Sequence, residues 1–481
     1  MKRFILYISL CVILPLVLPG CAKNEAAREP HSEAELSGLT LATSNGTYYQ
    51  MKYSQREDVK VYTANIETDA IQAVRQGKAD VYVSDEVLLT AEDQKRLGMK
   101  MAFRGEECFD VAFAVKKGNT ELLEQLNAFL ATAPLHEITE HWINGAPYVE
   151  EPPYTIDPNS KPLHCVTGAN ITPIAYLCDE GEWKGIDPDI LRRFAHSQGR
   201  EFVMSFQDLG AAIIGLETGQ ADIVSANLII TPERLKSVDF STSYYKCHPG
   251  YFVVDKSSGS RMALLERLKM NLVTENRWRL ITDGLAVTLI ITLCSILFGS
   301  ILGAGVCVCR RSKRKWVRKS ADIYSDFING IPTLVLLLIM FYVVFASSGL
   351  NATIVAIITF SLCFASSSGA IFDNAISSVP VGQTEAGLSL GFTPYKTFTG
   401  IVFPQAVCKG INLYIGECIS LLKNTSIVGY IAIQDITRAS DLIRSRTFDA
   451  LVPLLIVTIL YFVLAWILRR LLLLIIKKEA R

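Results

Sequence analysis

Residues able to do chemistry are sparse in this chain. Glu417 falls inside a long apolar run, where an acid costs about 3 kcal/mol unless it is paired or faces water. That leaves a water-lined path, an interface between subunits or a structural hydrogen bond to a neighbouring helix as its reason. Lys423 lies nearer the end of the same run and reaches the interface with its charged head. The twelve cysteines make no metal pattern. Cys307 and Cys309 sit at an apolar helix end without histidine partners, and Cys108, Cys165, Cys178 and Cys247 are too scattered for zinc. Cys165 and Cys178 suit either a disulfide or two lone buried thiols. There is no nucleophile–base set or metal set for an enzyme, and no cofactor or metal is implied. No GxxxxGK[ST] loop occurs, so a separate chain has to supply any ATP hydrolysis.

The elements that position these residues follow from segregated composition. Of 481 residues, 50% are hydrophobic, and the hydrophobicity is concentrated in the C-terminal half. That pattern points to a soluble part plus a membrane part. From Ile281 onward the chain holds 18 Lys+Arg and 10 Asp+Glu, leaving 29 and 37 before it, so the net zero is +8 cancelling −8. Neither half has the basic density of a nucleic-acid binder. Lys2 and Arg3 precede a short apolar run, Phe4 to Leu18, which reads as an export signal. Leu18-Pro19-Gly20-Cys21 resembles a bacterial lipobox with Cys21 as the lipidated residue; an uncleaved anchor is the other reading. Either places the next segment outside the cytoplasm.

Five apolar segments lie at 284–308, 327–347, 350–372, 404–433 and 448–475, each near or above the about 20 residues a helix needs to cross a bilayer. RRSKRKWVRK, Arg310–Lys319, carries seven positive charges between the first two and fixes that link in the cytoplasm. Alternation then puts 379–404 and the KKEAR tail in the cytoplasm and the 434–447 loop outside. Arg438, Arg444 and Arg446 make that last loop a mild exception to the charge rule. In the cytoplasmic stretch VPVGQTEAGLSLGFTPYKTFTGIVFPQA, Gly382 to Ala386 should start a short helix ending near Gly391. Thr393-Pro394 should start a second, running into the membrane near Pro404.

That stretch, with its GQ-EA, G and PQA, resembles the coupling loop of permease subunits of polar amino acid ABC importers. WRLITDGLAVTLIITLCSILFGSILG, the Asn329–Leu334 stretch NGIPTL and ECISLLKNTSI resemble further segments of the same family over nearly all of 278–475, within a permease domain at 278–477. The resemblance implies a type I importer permease fold. Gly382, Glu385, Ala386 and Gly391 would grip a separate ATPase, and Glu417 would lie on the path or at a permease dimer interface. Asn329, Ala370 and Asp373 depart from the family pattern.

Ahead of the membrane part, 36–147 and 163–256 each alternate short strands and helices, joined by the 148–162 linker. GIDPDIL and GLETGQADIVSANLIITPERLKSVDFSTSYY resemble lobe one of type II solute-binding proteins. SGLTLATSNGTYY and AIQAVRQGKADVYVSDEVLL resemble lobe two, and FAVKKGNTELLEQLNAFL with EITEHWING the helices that return to lobe one. The order is therefore circularly permuted, which is tolerated where the old termini lie close together; two incomplete modules left by deletion is the competing account.

The resemblance implies a cleft that holds an amino acid by its charged ends. Arg234, after Thr231, matches the carboxylate-binding arginine and Asp85, ending VYVSD, the amino-binding acid. Gly46 and Thr47 match contacts at a helix N-terminus, and Asn227 offers a carbonyl. Taken singly, Arg234 also suits a solvated charge after a turn, Asp85 an N-cap and Thr47 a plain turn residue. Ile174 and Ile229 replace an aromatic and a hydroxyl of the family pattern.

The fold class expected is thus multidomain: an α/β two-lobed, periplasmic-binding-protein-like (type II) exported domain, then an all-α membrane domain of about five transmembrane helices. The function expected is the binding and permease subunit of an ABC importer in the cytoplasmic membrane, with its N-terminal domain outside and C-terminus inside. Its expected partners are an ATPase, an amino acid or small polar solute, membrane lipid and a second permease copy, and no nucleic acid. A ligand-gated channel or solute sensor is the alternative, against which stands the lack of a filter such as TVGYG.

Overall fold

The computed structural model describes residues 29–168, 170–178, 181–207, 209–255, 264–346 and 348–479. The export signal and Cys21 lie outside them. The chain divides into two compact units, 29–280 with 439–456, and 281–438 with 457–479.

In the first unit the strands are β1 Thr40–Ser44, β2 Lys60–Ala64, β3 Val81–Asp85, β4 Met99–Arg104, β5 Phe109–Val111, β6 Ala114–Lys116, β7 Leu163–Thr167, β8 Tyr176–Leu177, β9 Trp183–Lys184, β10 Phe202–Phe206, β11 Ile223–Ser225, β12 Val238–Phe240, β13 Tyr245–Cys247 and β14 Pro249–Val254. Its helices are α1 Tyr48–Ser54, α2 Glu67–Arg75, α3 Ala91–Leu97, α4 Thr120–Leu130, α5 Leu135–Asn144, α6 Ile186–Ser197, α7 Leu209–Thr218 and α8 Leu264–Leu268.

Two five-stranded sheets share one plan. Their orders are β2-β1-β3-β14-β4 and β10-β7-β11-β6-β12. Each has three parallel strands followed by an antiparallel one borrowed across the molecule. Short, nearly all-buried strands such as VYVSD suit a sheet covered on both faces. The strands β5 and β13, which lie outside both sheets, pair antiparallel with each other.

Of the borrowed strands, β14 departs from the sequence expectation, and β6, in the segment expected to return to lobe one, follows it. Residues 249–254, grouped there with lobe one, join the lobe-two sheet against β3 and β4, while β6 joins lobe one. The 148–162 stretch is held along lobe one rather than hanging free. Asp157 N donates to Gly199 O at 2.8 Å, Tyr154 stacks on His196, and Glu151 pairs with the same imidazole. Cys165 and Cys178 are separate buried thiols.

The second unit is helical: α9 Trp278–Arg310, α10 Lys315–Gly330, α11 Thr333–Ile339, α12 Ala352–Ser377, α13 Val381–Ser389, α14 Pro394–Thr397, α15 Phe403–Asn424, α16 Ile436–Thr447 and α17 Leu451–Glu479, with the ends of α9, α16 and α17 counted in the first unit. Among the described residues three helices, α9, α12 and α17, are long and apolar enough to cross a membrane. A fourth span results if α10 and the 333–344 helix, bent by 101° at Ile331-Pro332, count as one. Proline at that junction removes a donor and turns the chain. The expected 404–433 segment becomes α15 and a 3-10 turn at Thr425–Ile431. With Lys409, Glu417 and Lys423 it falls short of a plainly apolar span. The basic link is partly helical, since α10 starts at Lys315, and the expected 434–447 loop is mostly α16.

Small residues set the helix packing. A Cβ on Gly303 of α9 would collide with Ser368 Oγ of α12, and one on Gly410 of α15 would meet Ala375 Cβ of α12 at 2.7 Å. Asp373, an unusual acid for its position, accepts from Arg311 at 2.9 Å.

Candidate functional site

Arg234 enters the cleft from lobe one. Thr231 Oγ1 accepts the Arg234 amide at 3.3 Å and turns the chain into a short 3-10 turn. The guanidinium is not solvated as a plain turn charge would be. It donates to Ile229 O at 2.9 Å and reaches across to Gly46 O of lobe two at 2.7 Å. Burial lowers its pKa, and the nearby Asp85 carboxylate opposes that. Guanidinium remains charged throughout the working pH range.

Asp85 ends β3, is 5% exposed and makes no side-chain cap for the turn after it. Its Oδ1 accepts from the Tyr49 hydroxyl and from Cys247 Sγ at 3.3 Å, and its Oδ2 from the Asn227 amide of lobe one. Asn227 takes up that position with φ +51. Burial pushes the Asp85 carboxyl up to about 6 against the pull of these donors. The folded state therefore binds the proton more tightly than the unfolded chain, and stability from this group falls as pH rises from about 4 to 6 and stays lost above. The melting temperature of Asp85→Asn, measured relative to the native protein, is expected to grow between pH 4 and pH 7. A difference that is flat with pH would contradict the assignment.

Gly46 takes φ +74 in the turn before α1. Thr47 serves as the N-cap of α1, accepting from Gln50 N at 3.3 Å and donating to Ser44 O at 2.7 Å. The helix it caps has seven residues. The structure brings Arg234, Gly46, Asp85 and Asn227 together across the two lobes, with Thr231 behind them. A fixed cation and a carboxylate on opposing walls complement the two ends of a zwitterion. Ile174 and Ile229 are buried apolar residues.

Sequence reasoning missed Tyr49 and Cys247, which hold Asp85, and the buried Asp187, which accepts the Tyr244 hydroxyl at 2.5 Å and whose carboxyl burial pushes up to about 7. A tyrosine or cysteine gives no local sign of which carboxylate it will meet. Two concavities lie elsewhere: a groove of about 1000 Å³ lined by Glu86, Arg104, His136, Trp142 and Tyr245, and one of about 440 Å³ lined by Asp69, Gln72, Arg267 and Asp449.

In the second unit, α13 carries Gly382, Glu385 and Ala386, all exposed, and Gly391 follows at φ +81. Among the described residues no side chain hydrogen-bonds Glu385 or the half-buried Glu417.

Comparison with known proteins finds relatives of both kinds of part. The family of bacterial extracellular solute-binding proteins, family 3, matches residues 163–402. That match begins at β7 and runs on into the membrane helices, where the described residues form no sheet. The L-cystine transport system permease protein TcyB of Bacillus subtilis is 32% identical over 203 residues, 41% of this chain and 86% of the relative. The histidine/lysine/arginine/ornithine transport system permease protein HisM of Salmonella typhimurium is 28% identical over 199 residues, 38% of this chain and 83% of the relative. A crystal structure of an amino acid ABC transporter with histidines aligns at 28% identity and a TM-score of 0.40, covering 46% of this chain and 100% of that one.

Proposed function

The chain belongs to the amino-acid ABC transporter permeases and carries a family 3 solute-binding domain on the same polypeptide, and on that premise we propose that it captures a polar amino acid or similar small zwitterion outside the cell and passes it through its own membrane domain. The observation that carries this reading is the cross-cleft pairing, Arg234 with Gly46 and Asn227 with Asp85, in a chain that also holds the membrane helices.

In this reading Arg234 takes the solute's carboxylate by a two-point fork and Asp85 its ammonium. Gly46, Asn227 and Thr231 position them. Lobe closure about β5 and β13 then presents the solute to a membrane domain of five spans, α15 being the fourth, with Glu417 beside the path or at a dimer interface. Two copies complete the pore. A separate ABC ATPase docks on the 379–404 stretch through Gly382, Glu385, Ala386 and Gly391. The domain order is an exported module of permuted lobes, 36–147 and 163–256, followed by the permease, 278–477, with Cys21 as a lipid anchor.

Reconstitution tests this. Full-length protein co-expressed with a partner ATPase and placed in proteoliposomes should accumulate a labelled amino acid only when ATP is supplied to the loop side. ATP-independent flux would instead favour the channel reading.

A further inference from the structure

The arginines that broke the charge rule in the 434–447 stretch have partners. Residues 439–456 fold with the two lobes in the first unit, and α16 ends there at Thr447 with Phe448 at φ +52. A helix C-terminus carries partial negative charge, and a carbonyl can accept a second donor, as Arg444 O does beside Phe448 N at 2.8 Å. Side chains from both lobes meet the carbonyls of this end. From α2 of lobe two, Thr68 Oγ1 donates to Arg444 O at 2.9 Å and Gln72 Nε2 to Phe448 O at 3.0 Å. From lobe one, Asn170 Nδ2 donates to Leu442 O at 2.9 Å and to Ser445 Oγ at 2.8 Å. Asn170 Oδ1 accepts Leu177 N at 3.0 Å, so both ends of its buried amide are committed.

The charges divide in the same way. Arg444 pairs with Asp69 of lobe two at 2.6 Å. Arg446 lies 3.9 Å from the centre of the Tyr176 ring of lobe one and pairs with Glu275 at 3.1 Å. One rigid helix end thus holds two bodies that a hinge would otherwise let part. If the lobes separate about β5 and β13, at least one set of these contacts has to break.

We propose that residues 439–449 are a two-point clamp on the lobes of their own chain, through which the segment entering α17 reads whether the cleft is closed. Its purpose rests on the importer reading; its contacts do not. Arg444 and Asn170 act as positioning residues, since neither belongs to the proposed solute contacts.

Hydrogen–deuterium exchange on the full chain in lipid nanodiscs, without added solute, tests it. Asn170→Ala and Arg444→Glu should speed exchange of 441–449 by about fivefold, the scale of one lost buried hydrogen bond. Both should also speed exchange in the cleft segments 44–50 and 226–235. The pair Arg444→Glu with Asp69→Lys should restore both regions, which tells a lost tie from a misfolded lobe. Faster exchange confined to 441–449, or no change, overturns the clamp. Because no solute is used, failure of the protein to bind amino acids would sink the importer reading and leave this result standing on its own.

Discussion

Arg234→Ala should abolish saturable amino acid binding. A half-buried guanidinium that already donates two hydrogen bonds, one across to the other lobe, is pre-organised for a carboxylate. Removing one partner of a desolvated ion pair costs about 3–5 kcal/mol, or about two to four orders of magnitude in affinity. Arg234→Lys keeps the charge but loses the planar fork, and should weaken binding by about tenfold or more. The measurement is calorimetry on full-length protein in detergent, after a thermal-shift screen of amino acids finds a ligand. The full chain is required because residues 439–456 fold with the lobes. Unchanged affinity in Arg234→Ala would remove the assignment of the cleft, whatever the transport data said.

The parts of this fold that were legible in the sequence are those carried by local pattern. Alternating short strands and helices announced two α/β lobes, and long apolar runs announced α9, α12 and α17. What local pattern cannot carry is pairing at a distance. β14, six residues long, sits between strands remote in sequence, and nothing in PGYFVV says which sheet it will enter; β6 was placed only through the resemblance of the segment around it. The site divides in the same way. Arg234 and Asp85 were legible through motif-like surroundings, whereas Tyr49 and Cys247 reach Asp85 only once α1 and β13 are in place. The arginines of α16 were legible as an anomaly of charge, but their partners Asp69 and Tyr176 come from lobes hundreds of residues away.

Substitution at the 379–404 stretch should have the opposite signature to Arg234→Ala: binding spared, transport lost. α13 ends where Gly391 takes φ +81 and Phe392 N returns to Gly387 O at 3.1 Å. The Thr393 hydroxyl then caps α14 by accepting Lys396 N at 3.3 Å. The two helices touch at Gly387, where a Cβ would meet Thr397 Cγ2 at 2.7 Å. The resulting bend leaves exposed an apolar set, Val381 at 71%, Leu390 at 76% and Tyr395 at 76%, around Glu385, to which no side chain among the described residues hydrogen-bonds. Gly391→Val puts a β-branched residue in the left-handed region at a cost of about 1–2 kcal/mol, enough to distort the bend without unfolding the long helices. Glu385→Ala leaves the bend intact and removes only its charge. Both variants should bind solute as the native protein does, while ATP-driven uptake in proteoliposomes falls by about tenfold or more. Glu385→Ala should lose rate without losing shape, and Gly391→Val both. Normal uptake in the two variants would mean that the ATPase does not grip this bend, and the exposed Val381, Leu390 and Tyr395 would then need another partner.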